Sequence, residues 1–271
     1  MVTGHRPRAS SPAVSWRVAD CVAGHANPAD PATSVHRLRP GDIRVVAALG
    51  DSVTTGWAAG ASRLSAPGTD YRGASWSGGG GRSALTLPNI LRHFSPGLAA
   101  RLVRRLRRHP RIDVARHWKL VTIMIGGNDI CQSCAAGDAQ LPRTFVNLVP
   151  VVDMGEVRRL VRGYQRSLAR LVASGRYDTR RDFTVVVQPF TLGAVLPRRP
   201  RSGLTDTRFV AVDCFHPSRS GQELMALMLW NNMVTPVAAK STDGREAWRG
   251  FKCPSPAYPF LGTYRNWRHG G

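Results

Sequence analysis

Three short segments carry side chains whose types and spacing could perform acyl transfer. Gly50-Asp51-Ser52 follows an apolar run, Gly126-Gly127-Asn128-Asp129 follows a second, and Asp213-Cys214-Phe215-His216 lies far downstream. Acyl transfer needs a nucleophile, a base to take its proton and a carboxylate to orient that base. Ser52, His216 and Asp213 are of the right types, in the chain order Ser…Asp…His. The Asp-x-x-His spacing lets carboxylate and imidazole meet within one turn of chain, leaving the second ring nitrogen free as base. Asn128, after two glycines that permit a tight turn, presents an amide that could hold a developing oxyanion, a contact worth ~3 kcal/mol of barrier. Each segment alone has a plainer reading: an Asp-Ser turn, an Asn-Asp turn, an Asp-His pair at a helix start. Together, each at the end of an element, they argue for one site. No Gly-x-Ser-x-Gly elbow is present, which disfavours the ordinary α/β-hydrolase arrangement.

The elements that must position these groups alternate. Residues 44–49 and 120–125 read as buried strands, each ended by glycine, and 144–152 and 183–188 are further strand candidates, the former with Pro150 near its end. Helical spacing places Leu98, Leu102, Val103 and Leu106 on one face, so 98–108 is predicted as a helix stopped by His109-Pro110. Residues 156–174 read as a basic amphipathic helix capped by Gly175. Ser220-Gly-Gln-Glu223 reads as a capping box, with an apolar helix from Leu224 to Val234 ended by Pro236. Residues 56–83, rich in Gly, Ser and Ala, read as a long loop. This alternation predicts an α/β protein with a mostly parallel sheet, whose ligands bind beyond the carboxyl ends of the strands. Residues 1–40 read as a flexible leader, 41–237 as the catalytic domain and 238–271 as an irregular extension packed on it.

The 271 residues suffice for one full core, and 42% hydrophobic content is that of a globular chain. The formal charge of +21 comes from 38 Lys+Arg against 17 Asp+Glu. Such a field favours anionic partners: a phospholipid surface, an acidic substrate or nucleic acid. No nucleic-acid motif accompanies the charge, so nucleic acid is the least supported. The arginines of 98–108, namely Arg101, Arg104, Arg105, Arg107 and Arg108, are candidates for docking on anionic lipid. No apolar run is long enough to span a bilayer, and the N-terminus shows no signal-peptide pattern. Of five cysteines, Cys131 and Cys134 suit a local disulfide, and Cys214 with Cys253 a second, leaving Cys21 over. No metal-ligand spacing is present, so no metal is expected.

These segments resemble blocks I, III and V of the GDSL, or SGNH, hydrolases, and more closely the catalytic repeats of the animal phospholipases B. The resembling stretches include Val46-Ala-Ala-Leu-Gly-Asp-Ser52, Tyr71-Arg-Gly-Ala-Ser-Trp-Ser77, Thr86-Leu-Pro-Asn-Ile-Leu91, Ile125-Gly-Gly-Asn-Asp-Ile-Cys131, Asp213-Cys-Phe-His216 and Leu229-Trp-Asn-Asn-Met233. Several have no chemistry of their own and would not converge. The resemblance implies a three-layer, flavodoxin-like SGNH fold. It makes Ser52 the nucleophile and, through its own N–H, one oxyanion donor, Asn128 a second donor, His216 the base and Asp213 its partner. It implies a cofactor-free, metal-free esterase acting on phospholipids or lysophospholipids at a membrane surface, in an extracellular or apical plasma-membrane setting. It also implies a strand and a block II glycine, the third oxyanion donor, after the Asn-Ile-Leu stretch. Here Phe94-Ser-Pro-Gly97 leads directly into 98–108, so both are expected to be missing, with Gly97 and Gly78 to Gly81 the neighbouring glycines. A cysteine-bearing stretch of the family is missing near Leu160 to Arg162, and Val53 replaces a usual leucine.

Overall fold

One parallel sheet organises the chain. A computed structural model describes residues 21, 30–63, 68–102, 112–124, 142–150, 158–199 and 202–266. Its strands are β1 (Ile43–Gly50), β2 (Ala99–Leu102), β3 (Trp118–Met124), β4 (Thr144–Leu148) and β5 (Phe183–Val187). They lie in the order β2-β1-β3-β4-β5, and every pairing is parallel. The helices are α1 (Ser52–Thr55), α2 (Leu87–Phe94), α3 (Arg158–Ala173) and α4 (Arg219–Met233).

The near-continuous apolar runs of β1 and β3 are explained by burial on both faces, the usual condition of parallel strands. Alternate residues point to opposite layers. Val46, Leu120, Phe145 and Val186 face a core shared with α2 and α4. Val45, Ala47, Val121, Val146 and Val185 face a second core that includes Val172 of α3. The result is the expected three-layer α/β architecture. α4 is apolar almost all round, with Gly221 to Met233 buried except Glu223 and Met225, because further chain covers its outer side. Trp230 stacks between Phe94 (centroids 5.3 Å) and Phe251 (5.2 Å). Its indole N–H donates to the Lys252 carbonyl, and Gly262 N donates to Met233 O.

Four expectations need correction. The segment predicted as a helix over 98–108 begins as a strand: Ala99 to Leu102 pair with Val45 to Ala48 at the sheet edge. Four residues fit periods of 2 and 3.6 equally well, and ladder bonds to β1 decide between them. The strand expected to be missing is therefore present. Arg101 lies on it, and residues 103–111, with the other arginines of the supposed helix face, lie outside the described residues. Second, part of the supposed leader is folded: Val35 and Leu38 are fully buried, and Pro40–Asp42 form a turn capped by the Asp42 carboxylate. Third, the cap of α4 is Ser218, whose hydroxyl accepts from Gly221 N, and not Ser220. Glu223 reaches instead to the Leu85 N–H. Fourth, Cys253 pairs with Cys21, not Cys214. Cys214 is free and exposed, while Cys131 and Cys134 lie outside the described residues. Sequence spacing cannot choose among connectivities; the fold brings Cys253, which follows the segment that wraps α4, to Cys21.

Candidate active site

The strand order reverses direction between β1 and β3, since β2 lies on one side of β1 and β3 to β5 on the other. Sheets of this order bind ligands at that reversal, beyond the carboxyl ends of the strands. Ser52 stands there, at the first position of α1 directly after β1. The Asp51 carboxylate caps this short helix by accepting from Val53 N (3.1 Å), and Gly56 ends it in the left-handed region at φ 73°. Gly50 is required by close approach: a Cβ there would lie 2.0 Å from Thr54 Oγ1 and 2.5 Å from the Met124 carbonyl oxygen.

The loop predicted over 56–83 holds α1 in place. Ser75 Oγ donates to the Thr54 carbonyl (2.6 Å), and Thr55 Oγ1 donates to Asp70 (2.7 Å). Gln222 of α4 bridges the two segments: its amide donates to Val53 O and its carbonyl accepts from Trp76 N, both at 3.0 Å. Sequence reasoning missed Gln222 and Ser75, because their value lies in partners more than a hundred and about twenty residues away and no local pattern marks them.

The base arrives on a tight loop. Val210 pairs with Pro217, Ala211 N donates to His216 O, and Cys214 sits at φ 60°. Within this loop Asp213 Oδ1 accepts from Phe215 N and His216 N, each at 3.0 Å. The other carboxylate oxygen lies 2.7 Å from His216 Nδ1. Burial works against the carboxylate charge, but the bonds from the His216 ring and the two backbone N–H groups outweigh it and hold Asp213 below the usual carboxylate range. The carboxylate thus orients the ring, whose Nε2 lies 2.8 Å from Ser52 Oγ. Across 164 residues of separation, the structure joins Ser52, His216 and Asp213 in one chain of hydrogen bonds. Trp57 and Phe215 flank the imidazole, with centroids at 6.4 and 4.9 Å.

Asn128 lies outside the described residues; β3 ends at Met124, paired with Gly50, so the chain leaves β3 beside the nucleophile turn. Four of the five glycine candidates for a third donor fare poorly. Gly97 precedes β2, at the amino end of the sheet, near Arg44 and opposite Ser52. The N–H groups of Gly78, Gly79 and Gly81 are spent on Ser75 Oγ, Ser75 O and Gly73 O. Residues 103–111, which follow β2, include no glycine. No cluster of metal-binding side chains occurs among the described residues.

The family model described as GDSL-like Lipase/Acylhydrolase matches residues 46–153, a span that holds both Ser52 and Asn128. Residues 46–153 thus match a GDSL lipase/acylhydrolase domain. The GDSL match and the parallel sheet agree on the fold class. Curated relatives agree with this match. The chain is 35% identical over 331 aligned positions to human "Phospholipase B1, membrane-associated", covering 86% of this chain and 22% of that protein. The mouse protein of the same name is 33% identical over 327 positions, with the same coverage. The chain thus spans about a fifth of the length of these relatives. Both alignments exceed the 271 residues of the whole chain, so each relative carries residues inside the matched region that this GDSL domain lacks. No solved structure gives a significant match. Among the described residues, no helix is long and apolar enough to cross a membrane.

Proposed function

We propose that this GDSL domain is a serine esterase that removes acyl chains from phospholipids and lysophospholipids. The observation that carries the reading is the hydrogen-bonded chain from Ser52 Oγ through His216 to Asp213, at 2.8 and 2.7 Å. Ser52 Oγ attacks the ester carbonyl carbon while His216 Nε2 takes its proton. The oxyanion that forms is held by the Ser52 N–H, which has no acceptor within α1, and by the Asn128 amide. Collapse breaks the ester C–O bond, and the imidazolium returns the proton to the departing glycerol oxygen. Water, activated by the same imidazole, then releases the fatty acid from Ser52. Asp213 remains ionised throughout and stabilises the imidazolium. No metal or cofactor enters these steps. The phospholipid substrate and the membrane surface as partner rest on the likeness to proteins named membrane-associated phospholipases; the extracellular or apical plasma-membrane setting rests on the family resemblance alone.

One observation favours a second reading, a lipid-binding relative with weakened turnover. The N–H groups of Gly78, Gly79 and Gly81 are already engaged, and residues 103–111 after β2 hold no glycine. Loss of one oxyanion donor costs about 10²–10³ in turnover. Release of fatty acid from phosphatidylcholine and lysophosphatidylcholine, compared with Ser52→Ala, tests both. The first reading expects release that the substitution abolishes. A folded protein that binds lipid but releases no more fatty acid than Ser52→Ala would establish the second.

A further inference from the structure

Large apolar side chains are exposed at seven places among the described residues, and five of them fall between residues 192 and 215. Residues 192–199 leave the carboxyl end of the sheet just after β5 and pair with residues 202–206 as a hairpin. Arg198 pairs with Thr205, Asp206 N donates to Pro197 O, and Arg199 N donates to Leu204 O. Gly203, at φ 65°, makes the turn. Val195 (61% exposed), Leu196 (48%) and Leu204 (65%) stand on this hairpin with no core to enter. The three residues Thr207–Phe209 then lead into the loop of the base, where Phe215 is 67% exposed and packs edge-on against the His216 ring. The sixth such residue, Leu49, sits at the end of β1 beside the Ser52 turn.

Isolated exposed apolar residues need no explanation, but a concentration beside one end of a fold marks a contact surface. Its charge says what it contacts. From residue 192 to residue 212 the sequence holds four arginines, Arg198, Arg199, Arg201 and Arg208, against the single carboxylate of Asp206. Arg208 and Arg199 already neutralise that carboxylate, at 2.6 and 3.9 Å. Exposed apolar side chains in a stretch whose sequence carries this excess of positive charge suit the boundary of a bilayer with anionic headgroups, where both terms add.

We infer that the hairpin of residues 192–199 and 202–206, with Phe215, is the surface that seats this domain on an anionic phospholipid bilayer with the Ser52–His216 pair facing the lipid. The inference rests on the esterase reading for its purpose, but not for its measurement. Seating here delivers lipid to the pair without a long transfer through water, because the hairpin and the base loop are continuous.

The test uses the full chain carrying Ser52→Ala, so that vesicles stay intact, sedimented with vesicles of phosphatidylcholine alone or mixed with phosphatidylserine. Binding is expected to be tighter to the mixed vesicles and to weaken with salt. Combining Val195→Ser, Leu196→Ser and Leu204→Ser should lower the partition coefficient about tenfold or more. In the Ser52 protein the same three changes should leave hydrolysis of the soluble ester p-nitrophenyl butyrate unchanged. Val195→Asp alone, at a side chain that is 61% exposed, provides a variant that spares the core and should also weaken binding. Equal binding by parent and variants, or no vesicle binding by the parent, would overturn the inference. A dimer dissolved by these substitutions, without vesicle binding, would assign the patch to a second copy and overturn it as well. Absence of soluble-ester hydrolysis in the Ser52 protein would reject the esterase reading and leave the binding result standing.

Discussion

Replacing Asp213 by asparagine probes the orienting carboxylate with little change of shape. Asp213 makes three contacts: Oδ1 with Phe215 N and His216 N, and Oδ2 with His216 Nδ1. An asparagine carbonyl can keep the two backbone bonds, so the loop around Cys214 should hold, at a stability cost of about 1–2 kcal/mol. The amide NH2 then replaces Oδ2 and faces Nδ1. A donor there forces the proton of the neutral ring onto Nε2, which would donate to Ser52 Oγ instead of accepting from it. The base is present but in the wrong tautomer, and turnover should fall ~10⁴-fold. Asp213→Ala should lose similar activity and more stability, because it also strands two N–H groups. Turnover of p-nitrophenyl butyrate, with thermal unfolding alongside, separates the two effects. A folded Asp213→Asn protein retaining activity within about tenfold of the parent would refute the reasoning.

Three further outcomes follow from the packing and burial. Gly50→Ala should destabilise the protein by about 1–3 kcal/mol and slow active-site labelling, since its Cβ would press on Thr54 and on the backbone of β3; thermal unfolding and fluorophosphonate labelling rates check this. Cys21→Ser with Cys253→Ser removes a bridge spanning 232 residues and should cost ~4 kcal/mol, read as a lower urea midpoint in the oxidised protein and no difference once the parent is reduced. Burial pulls the Lys240 ammonium down to about 7, and Lys119 to about 8, both from 10.5. Between those values the unfolded chain holds more protons than the folded one, so stability should rise as pH climbs from about 7 towards about 10. In urea titrations Lys240→Met should flatten that rise; an unchanged slope would contradict the burial argument.

How much of this was legible in the sequence follows from where the information lies. β1, β3 and β5 were legible because strands buried on both faces read as short apolar runs ended by glycine or a polar residue. β2 was not, because four residues at a sheet edge carry no decisive period and are fixed by pairing with Val45 to Ala48. α4 was legible as an apolar helix, but its cap was misplaced by two residues, since Glu223 prefers Leu85 N to a capping role. Asp213 and His216 could be paired from their spacing, because their contact is local. Their meeting with Ser52 depends on strand order, which spacing does not encode; position at element ends in an α/β chain pointed to it, and the family resemblance gave each residue its role. Gln222 and the Cys21–Cys253 bridge were illegible for the same reason: each is a long-range contact with no local signature.

The central claim is that Ser52 is a nucleophile activated by His216. Treating the chain with a fluorophosphonate and locating the adduct by peptide mass tests it most directly. The account predicts one adduct, on Ser52, lost in Ser52→Ala and strongly slowed in a folded His216→Ala protein. A folded protein that remains unlabelled, or that labels and hydrolyses esters equally well as Ser52→Ala, would contradict it.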